Sequence, residues 1–223
     1  MNAYSSLIRA AVLVVGVAAT SVVQAQGADV GLVNMLNGDV SYVSEGAAAA
    51  KVRSFMKVRQ GDRFTLPAGA QVRVVYFQGG RQETWKGPSA FRAGAQAGEA
   101  GSGAAPEVTV LPSSVPQKIA QVPELMQIAK LGRSGGVAVR GTAKAPKLSV
   151  EQQAEVKTAK DTYGKLRAQS SADDITPELY LYSVLQDYLL YDDMKPVVEE
   201  MAKRQPSNTE VQELVAWVKS RTQ

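Results

Sequence analysis

Residues 71–85 read Gln-Val-Arg-Val-Val-Tyr-Phe-Gln-Gly-Gly-Arg-Gln-Glu-Thr-Trp, and this stretch decides the fold of the front half of the chain. Gln71 to Phe77 starts in strict alternation and ends in a continuous apolar run. That pattern predicts a strand with one face in a core and one wet, burial increasing toward the turn. Gly79-Gly80 supplies the positive φ of a tight hairpin, and Arg81–Trp85 returns as its partner strand. Pro88 has no N–H to give a ladder and is read as the end of that strand. Working outward, Asp29–Met35, Asp39–Ser44 and Arg63–Leu66 are runs of the same kind. Asn37-Gly38-Asp39, Gln60-Gly61-Asp62 and Pro67-Ala68-Gly69 are turn signals between them. Short strands so punctuated predict a small all-β sandwich or roll over residues 28–93.

Several of these residues together resemble the FecR-type domain. They are Gly31, Gly38-Asp39-Val40, Val58-Arg59-Gln60-Gly61-Asp62-Arg63-Phe64 and Ala68-Gly69-Ala70-Gln71-Val72-Arg73-Val74. Gly79-Gly80 and Trp85-Lys86-Gly87-Pro88-Ser89-Ala90-Phe91 extend the likeness across residues 28–93, and Gly61-Asp62 is its strongest piece. Two positions depart from the family pattern. The hairpin reads Gly79-Gly80 where the family usually has Asp-Gly, and Thr65-Leu66-Pro67-Ala68 replaces a Thr-Gly-type turn. Both keep the turn chemistry. The resemblance implies a periplasmic β domain that senses or scaffolds. Signalling members of the family carry a cytoplasmic anti-sigma segment and a membrane helix ahead of the domain. This chain instead begins with a signal-like segment, so signalling to a sigma factor is not carried over.

Residues 94–148 read as a Gly/Ala-rich linker with short strand and helix elements. Ala93–Pro106 is too poor in apolar side chains to order itself and is expected to be flexible. Glu107–Leu111 and the Val137–Val139 run are strand candidates, one of which is expected to extend the β unit. Pro116–Leu131 predicts a short amphipathic helix broken near Pro123, and Lys144–Lys147 a linker.

Residues 149–222 predict four helices. Ser149 with Gln152 is a capping box, Asp174 or Thr176 caps a second helix with Pro177 in its first turn, Asp192 or Asp193 caps a third with Pro196 in its first turn, and Ser207 or Asn208 caps the fourth. A 34-residue frame ending near Pro206 is weakly similar to a tetratricopeptide helix pair, although Tyr182 and Met194 occupy positions where small residues are expected. A plain antiparallel bundle explains the same spacing equally well. The predicted fold class is α+β, a small all-β domain followed by a helical bundle or tetratricopeptide-like pairs.

Function is constrained mostly by exclusion. The chain has 223 residues with no cysteine and no histidine. That removes the usual zinc and haem ligands, thiol nucleophiles and any Ser-His-Asp arrangement. No cofactor and no metal is expected. Residues 1–25 combine Arg9, an apolar run from Ala10 to Val23 and Val23-Gln24-Ala25, the pattern of a cleavable secretory signal. Fourteen helical residues reach only about 21 Å, short of the roughly 30 Å of a bilayer core. The mature chain is therefore expected to be periplasmic with no membrane span after cleavage. Charge is uneven: residues 26–95 carry +4, residues 96–148 carry +3 and residues 149–223 carry −4. This split suggests two units that attract each other or serve different partners.

The residues suited to a partner are Arg73, Arg81, Trp85 and Lys86 on the strands and Tyr180, Tyr182, Tyr188 and Tyr191 on the second tail helix. The plain alternative is a solvated strand face and core packing. Envelope proteins or anionic envelope polymers are the expected partners, and export argues against nucleic acid. Ser54-Phe55-Met56-Lys57 matches the S-x-x-K of penicillin-binding enzymes, without the S-D-N and K-T-G elements. The expectation is a non-catalytic scaffold or ligand-sensing module; the alternative is an envelope hydrolase with a Ser/Lys or carboxylate-only site.

Overall fold

A computed structural model of the chain describes residues 27–134 and 147–222. The signal-like residues 1–25, the Val137–Val139 run and residues 144–146 of the linker lie outside the described residues. Strands β1 (Asp29–Asn37), β4 (Lys57–Arg59), β6 (Gln71–Tyr76), β7 (Arg81–Lys86) and β10 (Glu107–Val110) form antiparallel sheet I in the order β10-β7-β6-β1-β4. Strands β2 (Ser41–Val43), β3 (Ala50–Lys51), β5 (Arg63–Leu66), β8 (Ser89–Ala93) and β9 (Gly98–Ser102) form antiparallel sheet II in the order β3-β2-β5-β8-β9. Helices α1 (Ser114–Ile119), α2 (Val122–Ser134), α3 (Val150–Gln169), α4 (Thr176–Asp187), α5 (Tyr191–Arg204) and α6 (Thr209–Arg221) follow. The chain is α+β, with an all-β front and a helical back. Among the described residues no helix is long and apolar enough to cross a membrane.

The hairpin forms as its glycines require, with φ of 79° at Gly79 and 63° at Gly80. Alternation along β6 then divides the molecule. Val72, Val74 and Tyr76 face sheet II and pack in one core with Phe64, Trp85 and Phe91. Within it Trp85, Phe91, Phe64 and Tyr42 stack in series, with centroids 4.3, 4.7 and 5.9 Å apart. Val75, on the other side of β6, joins Leu32 in a second core with Val115, Ile119 and the helices behind. The expected wet face of β6 is therefore corrected: Arg73 is 5% exposed and Val75 fully buried, because helices cover that side. A continuous apolar run such as Val74-Val75-Tyr76 belongs to a strand buried on both faces.

The glycine-rich stretch is a second correction. It is not a free linker, because Gly98–Ser102 is β9, paired with β8 from Ala93↔Gly98 to Ala90↔Ser102. The Gly98 N–H donates to Glu83 Oε2 at 2.9 Å, and a Cβ at Gly98 would stand 2.7 Å from the Trp85 ring. Order there comes from backbone pairing and from an approach that only glycine permits, not from side-chain burial. Pro88, read as a strand end, leads directly into β8, a strand the sequence reading missed. Glu107–Val110 does extend the β unit, pairing with β7.

The helix signals are largely met. The Ser149 hydroxyl accepts from the Gln152 N–H, and the Gln152 side chain accepts from the Ser149 N–H. Asn208 caps α6. Asp174 accepts from the Thr176 N–H at 2.9 Å, although Ile175 occupies the cap position. Asp192 and Asp193 do not cap α5: they lie inside its first turn, behind Leu190, and Pro196 falls one turn later inside the helix. There the two acids face the positive end of the helix dipole. Helix α4 is buried continuously from Thr176 to Gln186, which explains why its sequence is apolar on every side.

Between sheet I and the helices lies a buried polar layer. Asn34 donates to Thr176 Oγ1 at 2.5 Å and Gln82 donates to Asp174 Oδ2 at 2.8 Å. Arg73 donates from Nε to Thr84 at 2.9 Å and reaches Asp173 at 3.4 Å. Gln205 donates to the Asn34 carbonyl at 3.3 Å and to that of Asp173 at 3.0 Å. Behind it, fully buried Glu178 sits 3.1 Å from Arg167 and 3.3 Å from Arg204.

Three outcomes follow for solution measurement. Gly98→Ala should cost about 1–3 kcal/mol by urea unfolding, because the new methyl overpacks Trp85. Gly164→Ala, in open space on α3, should instead stabilise by about 0.5–1 kcal/mol. Burial pushes the Glu178 carboxyl above the usual carboxylate range, against the pull of Arg167 and Arg204. An acid raised in the folded state binds more protons there than when unfolded, so its contribution to stability falls as pH rises through that window. Urea midpoints taken across it should show a slope that Glu178→Gln flattens.

Candidate functional site

A cleft of about 480 Å³ opens where the β sandwich meets α2 and α6. One wall is the turn from Val52 to Lys57, between β3 and β4. Phe55 adopts a φ of 60° there, a left-handed conformation that costs a non-glycine residue about 1–3 kcal/mol. It is held by its N–H, which donates to the Val33 carbonyl at 2.7 Å, and by its ring, which is buried in the helical core. With the ring turned inward, Ser54 and Met56 are left lining the cleft. Across from them stand Met126, Gln127 and Lys130 of α2 and Glu210 of α6.

The electrostatics are mainly basic. Lys57 is gripped by Asp29 at 3.0 Å and Glu124 at 2.7 Å, and Lys130 pairs with Glu210 at 2.7 Å. Asp62 is buried and committed, accepting from the Ser44 hydroxyl and the Arg59 N–H. Arg53 lines the cleft, and its guanidinium has no hydrogen bond or ion pair among the described residues. Glu124 and Asp29 hold the Lys57 ammonium above its ordinary range. Two oxygens of different elements therefore keep it protonated.

The sequence-predicted residues do not form one surface. β7 alternates, so Glu83 and Trp85 point between the sheets while Gln82 and Thr84 point at the helices. Trp85 is fully buried and donates to Glu83 at 3.0 Å. Arg81 is tied to Glu83 at 2.5 Å and Lys86 to Glu107 at 2.5 Å. Arg73 is consumed by the sheet–helix layer. Tyr180 and Tyr182 are buried, and burial raises the Tyr182 phenol well above its ordinary value. Tyr188 donates to Glu155 at 2.5 Å, a bond that, with its burial, pushes its phenol up to about 12. Tyr191 packs edge-on against Trp217 at 5.6 Å. Of the residues suited to a partner, Arg73, Trp85, Tyr180 and Tyr182 thus lie in the interior, and Arg81, Lys86 and Tyr188 are engaged by acids close by. The cleft residues Arg53, Arg59 and Lys130 were visible as charges in the sequence, but no local signal brings the Arg53 turn against α2.

A second depression of about 390 Å³ between α3 and α5 has Leu181, Leu185 and Val197 in its lining, and the Lys160–Asp193 ion pair joins the two helices there. Among the described residues no group of three or more acids converges to hold a metal ion.

No family model matches the chain, and neither a curated protein nor a solved structure matches it.

Ser54 and Lys57, the S-x-x-K pair, both line the cleft, but on a turn and the first residue of β4 rather than at a helix start. An ammonium held above its ordinary pKa cannot take a proton from serine near neutral pH. Intact mass after incubation with a penicillin-type acylating agent should show no adduct from about pH 5 to about pH 9, where Lys57 stays charged. An adduct lost in Ser54→Ala would revive the hydrolase.

Proposed function

We propose that the chain is an exported, non-catalytic binding module of the cell envelope, FecR-like in its β part, whose helical part completes a cleft for an anionic group. The observation that carries this reading is the unpaired Arg53 guanidinium in a cleft shared by sandwich and helices. Arginine suits carboxylate or phosphate because its planar fork offers two parallel donors. Met56 and Met126 give the same cleft an adaptable apolar surface, as in sites that accept varied ligands. The periplasmic location is supported by the signal-like residues 1–25, and the scaffold role by the all-β and helical parts joined across one seam.

The reading is tested by thermal unfolding of residues 26–223 against inorganic phosphate, citrate and acidic muropeptides. At least one anion should raise the midpoint, following RT ln(1 + [L]/Kd). Arg53→Glu, and Gln127→Trp as a cleft-filling change, should each abolish that rise without lowering the unliganded midpoint by more than a few degrees. If no anion raises the midpoint, or if both variants respond as the native chain does, the cleft is not the binding site.

A further inference from the structure

Sheet II has one face in the sandwich core and one that no helix covers among the described residues. Along β5 the alternation is strict: Phe64 and Leu66 are buried, Arg63 and Thr65 exposed. Register then sets the outer residues in two rows across the strands. One row runs Lys51, Ser41, Thr65, Ala90 and Ser102. The next runs Val43, Arg63, Arg92 and Glu99.

The second row contains a conflict. Arg63 and Arg92 are direct cross-strand partners, the position in which like charges destabilise a sheet. Among the described residues neither guanidinium has a hydrogen-bond or ion-pair partner. Glu99 is the other cross-strand neighbour of Arg92, but no ion pair joins them. Two exposed forks lie side by side, aimed at solvent and lacking a counter-charge.

We infer that the outer face of sheet II binds a carboxylate-bearing polysaccharide, with Arg63 and Arg92 as its anion clamp and the neighbouring row of hydroxyls, Ser41, Thr65 and Ser102, as its sugar-facing contacts. The chemistry of the face selects this occupant. It has no exposed aromatic ring on which a nucleic-acid base could stack. Val43 is the one large apolar side chain exposed on it, too little for a protein hot spot or for insertion into lipid. It is an open sheet face rather than a cavity, suited to an extended chain. Strands about 4.8 Å apart repeat at close to the length of one sugar residue. Arginine pairs bidentately with carboxylate, and adjacent forks can grip one carboxylate or two successive ones. This surface is distinct from the cleft, so the two can succeed or fail separately.

The probe is polygalacturonate, used in affinity electrophoresis with residues 26–223. Dextran serves as the neutral polymer, phosphatidylglycerol vesicles as the anionic lipid surface and an oligothymidylate as the nucleic acid. Polygalacturonate alone should retard the native chain, and less so as salt rises. The double variant Arg63→Glu/Arg92→Glu should weaken retardation at least tenfold, whereas Lys165→Glu/Lys195→Glu, the same charge change at exposed positions of α3 and α5, should leave it unchanged. Equal retardation by vesicles or oligothymidylate overturns the inference, as does a double variant that binds like the native chain. Stability gives an independent readout, because Arg63→Glu replaces a like-charge pair by an opposite-charge pair. Its thermal midpoint should equal or exceed the native one while binding falls. A lower midpoint would make the arginines structural and overturn the inference too.

Discussion

Everything behind the sandwich depends on how sheet I buries polar side chains on its helix-facing side. Asn34, Arg73, Gln82 and Thr84 all lie under helices, and each such group costs free energy unless it finds a partner. The partners come from a short stretch, Ser171 to Thr176, that links α3 to α4, with Gln205 reaching in from the end of α5. An apolar interface would let the helices slide. This one has donors and acceptors that match in a single register, since displacing α4 by one residue would strand Asp174 and Gln82 together. Buried polar networks of this sort specify geometry more than they add stability. Asn34 Oδ1 and Arg73 Nη1 remain without a hydrogen-bond partner, so the layer is not saturated even in the docked state.

That fixed docking is what makes the cleft possible. Arg53 and Ser54 belong to the sandwich, while Met126 and Lys130 belong to α2. Their separation is set by the polar layer, by Leu32 and Val75 in the helical core, and by the Phe55 ring inserted into it. The left-handed backbone at Phe55 fits this picture: strain at one residue is tolerated because the ring it carries is needed on the far side of the seam. The Lys57–Glu124 ion pair spans the seam too, but both partners are well exposed and its contribution to stability is small.

Much of the fold was legible because it rests on short-range signals. The Gly79-Gly80 hairpin, the Ser149 capping box, Pro177 and Asn208 all act within a few residues of themselves, and all are found where the sequence places them. What failed depended on distant neighbours. Arg73 reads as a solvated residue in an alternating strand, and only the helices of residues 114–221 make it buried. The stretch around Gly98 reads as disordered because its composition lacks apolar surface. Its order comes from a ladder with β8 and from room beside Trp85, neither visible in a local window. The tyrosines of α4 carried an ambiguous signal, since a central helix and a binding helix share the same apolar excess. Burial of Tyr180 and Tyr182 resolves it toward packing.

The uneven charge acquires a physical meaning from the same geometry. Many bases of the front and middle blocks find acids across or behind the seam. Lys57 meets Glu124, Arg73 meets Asp173 and Asp174, Lys118 meets Asp187, and Lys130 meets Glu210. The pairs of Lys57 and Arg73 neutralise the excess where helices and sandwich touch, and those of Lys118 and Lys130 do so between helices. Arg53, Arg63 and Arg92 remain uncompensated among the described residues, and all three belong to the sandwich and face away from the polar layer. A surface arginine without a partner is ordinary by itself. Two placed directly opposite on adjacent strands, and a third in the lining of the cleft, are charges of the sandwich that no acid offsets among the described residues. Arg73, by contrast, is engaged by Asp173 and Asp174 in holding the helices in place, so the charge of the polar layer is already matched within the fold.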